Sequence, residues 1–244
     1  AKPSYAEISW ALDDYRNYDF QWLRYTGRKW KPIEGANESH IDIKANRSGR
    51  YWYCLAIQKK GEEGNVVYSA LTQVLVSRKI GKWYNDKKRE IQGVVCDVDS
   101  KNRPSKIVSA VETENPVQWR NDNSVNPQIF SIDDGKENTK KITDTVSWQI
   151  YYPAVEYCKS LGDKWYLPAI DEWYSVMLNQ KIINKRLEKK DATLIDGRYW
   201  TSTQYQYDED QVWQWYDVGF YGVEQIDTKT TRKVRPFLDT NILL

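Results

Sequence analysis

The chain has 244 residues, enough at roughly 100–200 residues per domain for one large or two modest domains with a proper core, so mini-protein folds are excluded. Lysine and arginine number 36 against 34 aspartates and glutamates, a net charge of +2, and the pI of about 8.3 falls short of the strongly basic value of a nucleic-acid binder. No nucleic-acid partner is expected. Mean hydropathy is -0.78, no window approaches the ~18 apolar residues of a membrane span, and the opening AKPSYAEISW lacks the charged-then-apolar layout of a signal peptide. The chain therefore reads as soluble and, if exported, already processed.

Side-chain inventory narrows the chemistry further. The single histidine, His40, excludes a His-rich metal site and leaves no histidine for catalysis in the second half of the chain. Cys54, Cys96 and Cys158 show no CxxC spacing of a zinc or redox site. The aromatics are 12 Trp and 18 Tyr against only 4 Phe, and rings with a polar handle suit half-wet binding faces better than a dry core.

In chain order, residues 5–76 show short alternating runs (YAEISWAL, DFQWLRY, SHIDIKA, RYWYCLAI, VVYSALTQVLV) broken by polar turns such as EGANES and KKGEEGN, the rhythm of a β-sandwich. Residues 78–90 are polar and basic, a linker or entry strand. Buried strands are predicted over 91–98 and 106–111. A helix is predicted from Thr145 to Leu161, capped by Gly162, and a second opens at Pro168 with Ile170, Trp173, Tyr174, Met177 and Leu178 on one face. After Gly197 the period returns to two in RYWTSTQY and VWQWYDVGFYGV, and RKVRPFL forms the last strand. Two strands, two helices and a sheet region predict a compact α+β domain.

Two resemblances give these patterns content. Trp22 in DFQWLRY followed by SGRYWYC resembles the strand C tryptophan and strand F Gly-x-Tyr-x-Cys of the immunoglobulin-like family, with a fibronectin-like sandwich as the competing assignment. If Gly49 and Tyr51 take the family's glycine and corner tyrosine, the cysteine slot is Tyr53, Cys54 falls on the opposite face and Ile8 stands near the partner cysteine's place. That implies a disulfide-free sandwich with Trp22, Tyr53 and Ile8 in its core. From Gly93 to Phe237 the chain is similar to the bacterial domain family labelled DUF1566, through QGVVCDV with SKIVSAVE, DDGKENT, YPAVEYCKSLGDKWYLPAIDEWYSV, RYWTST and KVRPF in that order. This resemblance implies a C-type-lectin-like fold, a secreted or cell-surface location and ligand binding rather than catalysis. An Ig-like domain in front of it looks like the build of surface proteins and pilus-tip adhesins of gut Bacteroidetes. In the variable proteins of diversity-generating retroelements, which share the fold, the ligand face is the C-terminal surface.

Departures from the wider lectin fold also count. No cysteine follows Cys158 to form the disulfide of animal C-type lectins, or the late catalytic cysteines of formylglycine-generating enzymes. The Glu-Pro-Asn or Gln-Pro-Asp calcium and sugar motif is missing, since Glu114-Asn115-Pro116 has the composition in the wrong order. No metal or cofactor is expected.

The most informative segment is 199–225. It holds no Lys or Arg, five carboxylates (Asp208, Glu209, Asp210, Asp217, Glu224) and nine aromatics. Rigid aromatics give contact area at low entropic cost, and carboxylates accept hydrogen bonds from sugar hydroxyls or pair with a basic partner. Trp200 and one of Trp213 or Trp215 are expected in the core. Elsewhere Asp133-Asp134-Gly135 reads as a solvated turn rather than a calcium loop. Asp171 and Glu172 read as first-turn helix carboxylates rather than an acid–base pair. Lys181, Lys185, Arg186, Lys189 and Lys190 read as a solvated helix face. Cys96 and Cys158 are either a disulfide or buried thiols.

The sequence thus predicts a two-domain protein, an all-β Ig-like sandwich over 1–78 and an α+β C-type-lectin-like domain over 84–240. Its expected task is non-catalytic recognition of a glycan or protein ligand at a bacterial surface, through Tyr205, Tyr207, Asp208, Asp210, Trp215 and Tyr221. A pilus or surface-assembly subunit, contacting its neighbours through the same aromatics, is the competing class. A carbohydrate-active enzyme would need two facing carboxylates ~5–10 Å apart.

Overall fold

The computed structural model describes residues 15–41, 43, 49–121, 127–216 and 223–240. The protein is rich in antiparallel sheet with a few helices, and it divides into two compact units, Ala1–Arg78 and Lys79–Leu244. Among the described residues no helix is long and apolar enough to cross a membrane.

In the first unit the strands are β1 (Tyr18–Tyr25), β2 (Trp30–Pro32), β3 (Gly49–Lys59), β4 (Val66–Tyr68) and β5 (Thr72–Val76), joined in one sheet of order β2-β1-β3-β4 with β5 also on β3. β1 and β3 pair with Trp22 opposite Leu55, so the apolar residues of both strands meet on one face. Trp22, Tyr53, Leu55 and Ile57 are buried there under Ile33, Ala36, Ile41 and Ile43. The Trp22 indole donates to the Glu38 carbonyl at 3.0 Å, giving its polar edge a partner. Ile8, the third expected core residue, lies outside the described residues.

The second unit begins five residues before the expected 84. Ile80 is buried and the Gly81 N–H donates to the Val95 carbonyl at 2.9 Å. Its elements are β6 (Trp83–Asp86), β7 (Ile91–Val98), β8 (Pro104–Ser109), β9 (Val117–Gln118), α1 (Gly135–Thr143), α2 (Trp148–Tyr151), α3 (Pro153–Ser160) and β10 (Trp165–Tyr166). A 3-10 turn at Ile170–Glu172 leads into α4 (Trp173–Glu188), then β11 (Arg198–Tyr205), β12 (Asp208–Tyr216), β13 (Val223–Asp227), β14 (Thr231–Arg232) and β15 (Phe237–Asp239). The sheets are β10-β15-β8-β7-β6, β11-β12-β13 and β14-β9.

Several predicted boundaries change. The single helix over 145–161 is two, because Pro153 has no N–H to continue the ladder and holds Tyr152 at φ -123 and ψ 72. α4 buries Trp173, Val176, Ile183 and Leu187, whereas Leu178, expected on the core face, is exposed. RKVRPFL contributes two short strands to different sheets, not one. α1 was not expected at all. Asp134 caps it by accepting the Glu137 N–H at 2.8 Å, so the Asp-Asp-Gly motif starts a helix.

Two cores flank β11. Tyr199 joins Trp173, Trp215, Phe237, Val94 and Cys96 on one side, and Trp200 joins Trp119, Tyr152, Cys158 and Val212 on the other. Cys96 and Cys158 are thus free buried thiols in separate clusters, each held protonated by burial.

Two buried carboxylates each gather several donors. Glu172 accepts from the backbone N–H of Ala169 at 2.8 Å and of Gly135 at 3.1 Å, from the Tyr166 hydroxyl at 2.9 Å, and from the Lys106 ammonium. It is the first-turn carboxylate the sequence predicts, accepting a backbone N–H there, and in addition a buried anchor tying α1, α4 and β8 together. Glu112 receives Arg235 at 2.7 Å, Lys233 at 2.8 Å and the Tyr199 hydroxyl at 2.7 Å.

Candidate functional site

Strands β11 and β12 form a hairpin whose last pair is Tyr205 opposite Asp208, so Gln206 and Tyr207 alone make the turn. Neither Gln206 nor Tyr207 takes a positive φ, so the turn does not demand Gly, Asn or Asp, and nothing in its backbone asks for a large ring. A tyrosine there does nothing for the turn. Tyr207 is 78% exposed, the most exposed aromatic among the described residues.

The rest of β11 is fixed from within. Its TST run is buried, and each hydroxyl has a partner. Thr201 donates to the Trp213 carbonyl at 2.6 Å, Thr203 donates to the Ser131 carbonyl at 2.9 Å, and Ser202 accepts from the Asn138 amide at 3.0 Å. The Gln204 side chain accepts the Ile129 N–H at 2.8 Å. A register shift between Trp200 and Gln204 lets both faces of the strand bury side chains.

β12 pairs with β13 in regular register from Gln211 to Trp215, so Trp213 and Trp215 share one face and Val212 and Gln214 the other. Trp215 is 2% exposed and stacks on Trp173 with centroids 4.7 Å apart and planes 5° from parallel. This corrects the expectation that Trp215 touches a ligand. The first residue of α4 covers it, and it is the flat floor of the core.

Trp213, two residues nearer the tip, lies beyond that cover. Its ring meets Tyr205 edge to face, with centroids 5.8 Å apart at 86°, and Tyr205 meets Tyr207 at 5.5 Å and 75°. The structure therefore brings together Tyr205, Tyr207 and Trp213, the last in place of Trp215. Tyr221 lies outside the described residues.

The aspartates differ in their ties. Asp210 accepts from the guanidinium of Arg120 at 2.7 Å, and Arg120 itself is 1% exposed and held at the edge of the Trp119 core. Its carbonyl accepts the Thr228 N–H at 2.8 Å. Asp208 accepts from the Asp210 N–H at 3.0 Å and the Gln211 amide at 2.8 Å, both neutral donors. Glu224 is drawn to the opposite face by Arg198 at 2.8 Å and by the Gln214 amide. The cations missing from 199–225 are thus supplied from elsewhere for Asp210 and Glu224. Asp208, by contrast, is met only by neutral donors beside the exposed rings.

Among the described residues no group of three or more His, Cys, Asp and Glu side chains converges as a metal site. Compared with family models, with curated proteins and with solved structures, the chain matches none.

Proposed function

We propose that the chain is a bacterial surface protein in which an Ig-like sandwich carries a C-type-lectin-like domain, and that the latter recognises a glycan or protein ligand without catalysis. The contact set is Tyr205, Tyr207, Trp213, Asp208 and the outer edge of Asp210. The observation that carries this reading is the hairpin tip, where a tyrosine the turn does not need is left exposed beside two further rings and a charged carboxylate. A stem anchored on both sides fixes the strands that carry these groups before any ligand arrives, so little backbone freedom remains to be lost on binding. The buried carboxylates Glu112 and Glu172 are saturated by cations and N–H or O–H donors, which suits them to the fold rather than to chemistry.

The test is binding of the full chain to glycan and protein arrays beside a Tyr205→Ala, Tyr207→Ala variant with an unchanged melting temperature. Signals in the parent that vanish in the variant support the reading. Ligands retained equally by the variant refute this face as the contact surface.

An assembly subunit is favoured by a separate observation. Among the described residues β4 ends the sheet path of the first unit, and its Val67 is 66% exposed with Val66 and Tyr68 also exposed. An apolar edge strand is a template for pairing with another chain. Light scattering that shows concentration-dependent growth, abolished by Val67→Lys, would carry that reading instead.

A further inference from the structure

The geometry points to an alkylated ammonium group, of the trimethylammonium kind, as the ligand chemistry read by the hairpin tip. This inference rests on the recognition reading above and narrows it. Three features of the tip converge on it.

The first is the shape of the aromatic surface. Tyr205 is a shared wall, with Tyr207 at 75° on centroids 5.5 Å away and Trp213 at 86° on centroids 5.8 Å away. Steeply angled neighbouring rings form corners in which one compact group can lie within ~6 Å of more than one centroid, the range over which a ring quadrupole attracts a cation. A flat sugar ring asks for the opposite, one open face to lie on.

The second is charge. The segment 199–225 contains no Lys or Arg, Asp210 is neutralised by Arg120, and Asp208 is bound only by neutral donors. The charge that adjoins the rings is therefore negative, which favours a cation and disfavours a phosphate or carboxylate.

The third is hydrogen-bond capacity. Asp208 already accepts one hydrogen bond at each oxygen, which leaves about two of its lone-pair sites against the three N–H donors of a primary ammonium. A primary ammonium would bring three donors that need acceptors, whereas a trimethylammonium group has none and asks only for π faces and a diffuse negative field.

The experiment uses the full chain with choline chloride and its uncharged isostere 3,3-dimethylbutan-1-ol, followed by saturation transfer to the methyl protons and by the shift of the Trp213 indole N–H, assigned through Trp213→Phe. Choline is expected to bind roughly threefold to thirtyfold tighter than the isostere. Tyr207→Ala should abolish the effect with an unchanged melting temperature. Asp208→Asn, which keeps the acceptor for the Asp210 N–H, should weaken choline about twofold to fivefold and leave the isostere unchanged. Phosphocholine as a third probe separates the sources. Binding equal to choline assigns a headgroup-borne cation, and weaker binding assigns a free one.

Equal binding of choline and the isostere overturns the cation assignment. So does no choline effect at 50 mM, a concentration of about fifty times a millimolar Kd. If array ligands are nonetheless lost in the Tyr205→Ala, Tyr207→Ala variant, the recognition face stands and only its chemistry was misassigned. If they are not, both readings fail together.

Discussion

Replacing Gly135 with alanine sets two physical arguments against each other. Gly135 is the first residue of α1, and by helix propensity alone alanine there should stabilise the protein by up to about 1 kcal/mol. The surroundings reverse the sign. A Cβ on Gly135 would stand 2.5 Å from the Ala169 nitrogen, from the Leu167 carbonyl oxygen and from Oε2 of Glu172. Two of these are backbone atoms, so they cannot swing aside, and the third is the buried carboxylate that accepts from Gly135, Ala169, Tyr166 and Lys106. Relieving the overlap by backbone shifts costs about 1–3 kcal/mol. Stretching a hydrogen bond to that carboxylate adds about 1.5–3 kcal/mol. Set against the propensity gain, Gly135→Ala should destabilise the second unit by about 1.5–5 kcal/mol. Urea unfolding of the full chain, followed by near-ultraviolet circular dichroism and by a calorimetric scan, would show a lower midpoint for that unit at unchanged m-value. A neutral or stabilised variant would refute the close packing of α1 on the Glu172 anchor.

Two further outcomes follow from the same core. Trp215→Ala should cost about 3–5 kcal/mol, because it empties the stack under Trp173, whereas Tyr207→Ala should stay within about 0.5 kcal/mol; equal losses in thermal unfolding would contradict the division between stem and tip. Alkaline pH should unfold the second unit: burial raises the Tyr166 and Tyr199 hydroxyls and pushes Tyr157 up to about 12, while unfolded tyrosines ionise near 10. Folded-state values above unfolded ones mean that this stability is intact below pH 10 and is lost as pH rises toward 12, by about 1.4 kcal/mol per pH unit for each such tyrosine. A urea midpoint that stays flat between pH 9 and 11 would contradict it.

What the sequence revealed depended on how local the cause was. The period-two run RYWTSTQY and the Gly197 before it announced β11, and DFQWLRY and RYWYCLAI announced β1 and β3, because alternation is written in neighbouring residues. Pro153 was equally legible as a helix break, yet the three- and four-residue spacing of Val146, Ile150, Ala154 and Tyr157 ran across it and concealed it. α1 stayed hidden because GKENTKKIT presents few apolar residues, and its buried Asn138 and Thr139 look like surface. Trp213 and Trp215 share a strand face, so parity could not tell the partly exposed indole from the core one. The residue that decides, Trp173, is supplied by a helix distant in sequence. Glu172 shows the same limit: its cation, Lys106, lies 66 positions away, and no local pattern marks a first-turn carboxylate as buried.

The division of labour within the hairpin gives the recognition reading its physical basis. From Trp200 to Gln204 every polar side chain bonds inward, and Trp215 is clamped by a parallel indole, so the stem has no freedom to follow a ligand. Asp210 continues this anchoring almost to the tip through a buried guanidinium. The last turn then carries a tyrosine whose ring packs into no core and is left exposed. The rings at that end of the hairpin are presented by a stem whose side chains are already bonded, and this is the condition under which a small contact surface of three aromatics and one carboxylate can bind selectively, since the stem need not be ordered when the ligand arrives.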